Sequence, residues 1–465
     1  MGRTSKIVTG GLLVCALVAI SIPVGKEVVP GLFPQDQSST VTTPAAQLPP
    51  AALSQVASVS ELSPDAPLPD AAALSDQLKE ALKYDGAGTV SVYVSDVLTG
   101  EELFSADGWT ARTPASNQKL LTAGAALATL GPQTRFTTRA VTGSQPNQIV
   151  LQAGGDVMLG RDDSKPNEIM GHAGIATLAK KTAESLAGAP GPYTLAIDDT
   201  MFTGSTLNPY WPTEDVAAGE IAPIYPMALF GARYVAGELT GPRPHDAPVE
   251  VAEAFAVALE RAGVETIGII TRSKTPEGAT ELGSVQSATV DEQTQYMMQW
   301  SDNYVAEVLG RMVARKLGEP VTNEGAVYAV RKSVRNLGLP MDTIWTVDNS
   351  GLSVSNRVSP AQLVQYLNIL LKNPASSAGQ ELKGLPIAGL TGSLSDRYIE
   401  PPSWEAAGVV RAKTGTLNLV TALSGYVVNS DGRLLSFAMI GNGLTDGPAP
   451  LRTVFDNAAT VLAKS

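Results

Sequence analysis

The sequence predicts a mixed α/β (α+β) protein, and three patterns lead to that fold class. Val90, Val92 and Val94 alternate with Ser91, Tyr93 and Ser95, the period-two pattern of a half-buried strand. Near the other end, residues 423–428 and 434–440 form a hairpin pattern around Asn429-Ser430-Asp431-Gly432. Between these ends, residues 160–285 mix short strand and helix patterns and carry no pairing of a nucleophile with a base, so they read as an insertion with its own small core.

Taken in order, Leu74, Leu78 and Leu82 have helical spacing. The valine strand turns at 96–100 and returns over 101–105. Residues 120–127 read as helix. Residues 135–142 and 148–152 are a strand pair joined by Gly143-Ser144-Gln145-Pro146-Asn147. Ala153-Gly154-Gly155-Asp156 follows a strand but lacks the Lys-Ser/Thr and the glycine spacing of a phosphate loop. Helices are expected over 175–186 and 248–262, and strands over 194–197 and 266–271. Residues 209–226 form a proline-interrupted loop with Tyr210, Trp211, Glu214 and Asp215. A long helical run is expected over 291–316. Ser359 caps a helix whose first residue is Pro360. The closing helix starts at Pro448, with Leu451, Val454, Phe455, Ala458 and Leu462 on its apolar face.

The 465 residues suffice for two or three domains, and 44% hydrophobic with 17% charged residues suits a substantial core. A formal net charge of −12 with no offsetting basic patch argues against a nucleic-acid partner. The single cysteine, Cys15, allows neither an intrachain disulfide nor a cysteine cluster for zinc. Arg3 and Lys6 precede an apolar run from Ile7 to Gly25, a signal-like segment that implies export, either cleaved or kept as an anchor. It is the one segment through which a membrane contact is expected. Residues 26–69, rich in Pro, Ala, Ser, Thr and Gln, read as a disordered linker. The domain expectation is therefore a catalytic part over 70–140 and 286–465, with an inserted domain over 141–285.

Chemistry concentrates in three places. Ser116 stands three residues before Lys119 where a helix begins, so the hydroxyl and the amine share a face. Pro114 sits just upstream, where a helix start tolerates a missing backbone donor. A lysine held neutral by burial could take the serine proton and leave a nucleophile. By itself the pair also fits an exposed lysine on a capped helix. Ser301-Asp302-Asn303 lies within the long helical run, and Ser301 and Asn303 become neighbours only if a turn sits there. Lys413-Thr414-Gly415-Thr416 lies on a strand-like segment: lysine brings charge, threonine hydroxyls can bind a carboxylate, and glycine lets a substrate backbone approach. His172 and His245 are the two histidines, and neither sits in a nucleophile-elbow pattern, so a serine enzyme of this sequence would use lysine as its base.

The ordered trio Ser116-x-x-Lys119, Ser301-x-Asn303 and Lys413-Thr414-Gly415 resembles the signatures of penicillin-binding proteins and serine β-lactamases. Flanking residues narrow the resemblance: Ala153 to Asp156, Ser301 to Glu307, Asp348 to Ser353, Leu385 to Leu394 and Arg411 to Thr416. With these the chain, from about residue 75 to 465, resembles the D-alanyl-D-alanine carboxypeptidase/endopeptidase family, the class C low-molecular-mass penicillin-binding proteins (peptidase family S13). The resemblance implies an antiparallel sheet flanked by helices and interrupted by an inserted α/β domain, with the family's third nested domain absent or reduced.

It also implies residue roles. Ser116 would be the acylated nucleophile and Lys119 its general base. Ser301 would relay a proton to the leaving D-alanine, and Asn303 would hold the substrate amide. Lys413 would maintain positive potential. Thr414 and Thr416, with Gly415 between them, would bind the terminal carboxylate. The backbone N–H groups of Ser116 and Thr416 would form the oxyanion hole. Asp215 or Glu214 would bind the diamino acid side chain of a peptidoglycan stem peptide ending in D-Ala-D-Ala. β-Lactams would be inhibitors, and no cofactor or metal is required. The expected activity is that of a serine-type carboxypeptidase (EC 3.4.16.4), a DD-endopeptidase or both, at the cell envelope, anchored or secreted. Two alternatives share the fold: a serine β-lactamase or esterase, against which the large insertion argues, and a non-catalytic wall-binding protein, against which the intact trio argues.

Overall fold

The computed structural model describes residues 65–465, so the expected export segment and the linker up to residue 64 lie outside the described residues. Helix α1 (Ala71–Ala81) starts at Asp70, whose carboxylate accepts from Ala73 N at 2.8 Å. Packing begins upstream of the expected start, because Ala66 is buried and its carbonyl accepts from Arg433.

The first sheet holds β1 (Thr89–Asp96), β2 (Glu102–Ala106), β8 (Arg411–Leu417), β9 (Val420–Val428) and β10 (Leu434–Asn442) in the order β2-β1-β10-β9-β8, with every pair antiparallel. Alternation sorts its side chains to two faces. Val92, Val94, Leu423, Leu435, Phe437 and Met439 pack with α1 and with α10 (Ala449–Lys464). Helix α10 has no side-chain cap at its N-terminus. A missing cap costs about 1 kcal/mol, whereas burying each of Leu451, Phe455 and Leu462 contributes about 1.5–3 kcal/mol; packing decides that helix.

Ala422, Ala438 and Ile440 face the other way, into the largest core. There they meet α2 (Gln118–Leu130), α6 (Val290–Trp300), α7 (Asn303–Leu317), α8 (Asn323–Asn336) and α9 (Pro360–Lys372). Ser359 and Gln362 form a reciprocal capping box at the start of α9.

The second sheet has the order β6-β5-β4-β3-β7, from β3 (Thr137–Thr142), β4 (Gln148–Gln152), β5 (Thr194–Asp198), β6 (Thr271–Arg272) and β7 (Glu281–Gln286). β3 is antiparallel to β4 and β7, while β4-β5 and β5-β6 are parallel. Helices α3 (Ile175–Ser185) and α5 (Ala247–Arg261) bury Leu178, Phe255 and Leu259 against Ile149, Leu151 and Ile197. The boundary expected after residue 140 falls inside β3. The strand expected over 266–271 contracts to β6, with Thr266 making a single bridge to Tyr193. Helix α4 (Thr213–Ala217) lies in the loop after β5.

Candidate active site

Ser116 sits in a single 3-10 turn (Ala115–Asn117) that feeds directly into α2. Ala115 has φ 48°, a left-handed backbone that is costly for a residue with a side chain. Its surroundings hold it there. A Cβ on Gly351 would lie 1.9 Å from the Ala115 carbonyl oxygen, and one on Gly415 would lie 2.9 Å from that of Pro114. Two glycines thus let two other segments close on the backbone of the nucleophile turn.

Lys119 is fully buried on the first turn of α2. Its Nζ donates to Ser116 Oγ at 2.9 Å, Asn303 Oδ1 at 2.7 Å and the Ser350 carbonyl at 2.7 Å. Burial lowers its pKa to about 8, opposed by Asp348, Asp302, Glu307 and Glu220. A fraction of the amine is therefore neutral near pH 7 and lies within reach of the serine proton.

The expected helical run over 291–316 is broken. Ser301 has φ 57° and ends α6, and Asp302 caps α7 by accepting from Val305 N at 2.9 Å. An aspartate that bonds its own downstream backbone competes with helix continuation, which is the physical reason for the break. Asp302 is buried and also accepts from Arg233 at 2.7 Å. Burial raises its pKa, but Arg233, Arg243 and the Val305 N–H more than offset this and leave it below the usual carboxylate value. The break turns Ser301 toward Lys413 and Asn303 toward Lys119. Asn303 Nδ2 donates in turn to the Glu220 carbonyl at 3.0 Å.

Lys413 lies on β8, the edge strand of the first sheet. Its buried Nζ donates to Ser301 Oγ at 2.9 Å and to the Thr414 carbonyl at 2.8 Å. Burial first, and then the charge of Lys119, pushes its pKa well below the ordinary lysine value. The positive potential expected at Lys413 therefore rests on an amine whose charge is opposed by burial and by the neighbouring lysine. Thr414 Oγ1 pairs with Ser393 Oγ at 2.6 Å, while Thr416 is exposed.

Two buried carboxylates behind these residues, Glu307 and Asp348, hold the segment that meets Lys119. Glu307 accepts from Asn349 N, Ser350 N and Asn349 Nδ2, and so fixes the carbonyl of Ser350 that meets Lys119. Asp348 accepts from Gly351 N, Ser353 N, Asn356 Nδ2 and Trp211 Nε1. Burial raises the pKa of both groups, and at Asp348 four donors act against it.

The cleft over Ser116 has a volume of about 750 Å³ and is also lined by Ser301, Asn303, Thr414 and Thr416. Glu214 and Asp215 line it too, placed there by Trp211, whose indole anchors their loop on Asp348. Burial, then Glu220 and Glu214, raise the pKa of Asp215. Neither His172 nor His245 lines the cleft. Among the described residues no cluster of His, Cys, Asp and Glu is placed to hold a metal ion. Glu307, Asp348 and Ser393 lie within the resembling segments but carry no expected role there, and Arg233 and Arg243 lie outside those segments. The available signal was Asp302, an N-cap residue three positions before Val305.

Two facing helices that bring Ser-x-x-Lys and Ser-x-Asn together beside an edge strand carrying Lys-Thr-Gly define the class of serine acyl-transfer hydrolases that includes penicillin-binding proteins. The profile of the D-Ala-D-Ala carboxypeptidase 3 (S13) family matches residues 72–248 and 241–464, and the chain belongs to that family. It is 34% identical to the carboxypeptidase DacB of Mycolicibacterium smegmatis over 85% of both chains. It is 30% identical to a D-alanyl-D-alanine carboxypeptidase of an Actinomadura species over 81% of this chain and 82% of that one. Penicillin-binding protein 4 (dacB) of Haemophilus influenzae shares the fold with a TM-score of 0.66 and 22% identity, covering 84% of this chain and 99% of that one. The same protein complexed with a β-lactam superposes with a TM-score of 0.63 at 22% identity, with the same coverage. The activity class is that of a penicillin-binding serine carboxypeptidase acting outside the cytoplasm on peptidoglycan.

Proposed function

We propose that the protein cleaves the terminal D-Ala-D-Ala bond of peptidoglycan stem peptides through an acyl-enzyme on Ser116. The observation that carries this reading is the buried Lys119 amine, held between Ser116 Oγ and Asn303 Oδ1 with a pKa near 8. Neutral Lys119 takes the Ser116 proton as Oγ bonds to the penultimate D-Ala carbonyl carbon. The backbone N–H groups of Ser116 and Thr416 receive the oxyanion. As the C–N bond breaks, the proton taken up by Lys119 passes by way of Ser301, which Lys413 orients, to the leaving D-alanine amine, and Lys119 is neutral again. Water then hydrolyses the ester and restores Ser116.

The substrate carboxylate lies by Thr414 and Thr416. Its negative charge opposes the burial that depresses the pKa of Lys413 and favours the protonated amine. Asn303 holds the substrate amide. Asp215, with Glu214 beside it, meets the amine of the diamino acid side chain across the cleft. β-Lactams acylate the same serine. A cross-linked stem peptide, cleaved at the equivalent bond, makes the enzyme an endopeptidase as well. The apolar run at residues 7–25 exports the chain to the cell envelope. Among the described residues no helix is long and apolar enough to cross a membrane.

The experiment is release of D-alanine from a stem pentapeptide with a diamino acid at its third position. Release that is lost in Ser116→Ala, together with a raised KM and little change in kcat in Asp215→Asn, supports the reading. D-Alanine release that persists in Ser116→Ala contradicts it.

A further inference from the structure

A cavity of about 850 Å³ lies at the far ends of the two helices that carry the catalytic lysine and asparagine. Lys119 opens α2 and Asn303 opens α7, whereas Leu130 at the end of α2 and Arg315 and Lys316 at the end of α7 line this cavity. Thirteen residues of α2 span about 20 Å, and no residue lines both the cavity and the Ser116 cleft.

Its charge is one-sided. Arg135, Arg139, Lys274, Arg315 and Lys316 line it, against the single carboxylate of Asp198. Asp198 is already engaged by Thr200 and by Thr275 N, and its pKa lies below the usual value because these hydrogen bonds outweigh burial. Arg139 pairs with Glu281, and Arg135 donates to the Ser287 carbonyl, meets His172 and lies 3.9 Å from the Glu292 carboxylate. Lys274, Arg315 and Lys316 have no carboxylate partner among the described residues. Cations at a helix C-terminus offset the helix dipole, which accounts for Arg315 and Lys316. It does not account for Lys274 after β6, for Arg135 just before β3 or for Arg139 on β3, which converge on the same space. The chain as a whole carries −12, so an anion has no general electrostatic attraction to it, and binding would depend on this local cluster.

We propose that this cavity binds a segment of an anionic polymer bearing repeated phosphodiester or carboxylate oxyanions. Guanidinium and ammonium donors match either group. The volume fits a ligand of several units, since single-ligand sites run from about 300 to 1,000 Å³. Occupied there, the polymer holds the enzyme by the face opposite the catalytic cleft and leaves Ser116 open to substrate. This inference does not depend on the reaction proposed at Ser116.

The test is anisotropy of fluorescein-labelled poly(glycerol phosphate) and of labelled polygalacturonate titrated with the full chain at roughly 0.15 M salt. Binding of either polymer is expected, and the one preferred identifies the oxyanion. A Lys274→Ala/Arg315→Ala/Lys316→Ala variant weakens it by about tenfold or more, with a shallower salt dependence. Penicillin acylation of that variant stays at the wild-type rate and reports an intact fold. Lys274→Glu alone, on an exposed loop, gives the same direction should the triple variant fail to fold. A control Lys79→Ala/Lys83→Ala/Lys180→Ala variant removes the same charge elsewhere and leaves binding unchanged. The proposal is overturned if neither polymer binds, if the cavity variants bind as wild type, or if the control weakens binding equally.

Discussion

Lys119 Nζ and Ser116 Oγ are joined by a hydrogen bond of 2.9 Å, and the lysine has no solvent exposure. The acylation rate should follow the neutral fraction of this amine. Its pKa is lowered to about 8, so the base form gains as pH rises. Acylation by a fluorescent penicillin should climb about tenfold per unit below that value and level off above it. Lys119→Met, which keeps most of the volume, should slow acylation by about 10²–10⁴-fold and abolish the pH rise. A flat profile in the wild type would remove Lys119 as the base.

Asp302 has one strong charged partner. Removing it by Arg233→Ala takes the ion pair from a buried carboxylate and leaves Arg243 as the nearby guanidinium, which should cost about 3–5 kcal/mol in urea unfolding. Acylation should fall as well, because Asp302 caps the helix that presents Asn303. An Arg233→Ala protein as stable as wild type would show that the pair does not organise the break between α6 and α7.

Gly351 has φ 81° and lies against the Ala115 carbonyl. Gly351→Ala should lower stability by about 1–3 kcal/mol and slow Ser116 acylation more than any effect on melting explains, since the clash falls on the residue before the nucleophile. Unchanged acylation kinetics would separate the two segments.

Asp156 is buried, its Oδ2 has no partner among the described residues, and burial raises its pKa to about 7. The unfolded chain releases this proton near pH 4. Between these values the folded state holds a proton that the unfolded state has lost. The stabilising contribution is therefore full below pH 4 and falls away as pH rises to about 7. Asp156→Asn should lose less stability than wild type between pH 5 and pH 8, measured by urea unfolding. Parallel pH dependences would contradict this.

Much of this architecture was legible in local pattern. The alternation at Val90, Val92 and Val94 gave β1, and the hairpin around Asn429 to Gly432 gave β9 and β10, because one face of each strand is set by burial. Within the motif trio, Ser116 and Asn303 meet at Lys119, and Ser301 meets Lys413. The break at Ser301 was harder to read, since residues on both sides favour helix and a single capping aspartate decides the outcome. The depressed pKa of Lys413 was out of reach, because it depends on burial by distant segments and on Lys119. The Arg233–Asp302 pair joins positions in two separate segments and leaves no local signal. The cationic cavity escaped for the same reason: its five cations are scattered from Arg135 to Lys316 and converge only in three dimensions.

The central claim is that Ser116 is acylated with Lys119 as its base, and covalent labelling by a fluorescent penicillin tests it most directly. The account predicts a stable one-to-one adduct on the peptide containing Ser116, lost in Ser116→Ala and strongly slowed in Lys119→Met. An adduct that survives Ser116→Ala, or that maps to another residue, would contradict it.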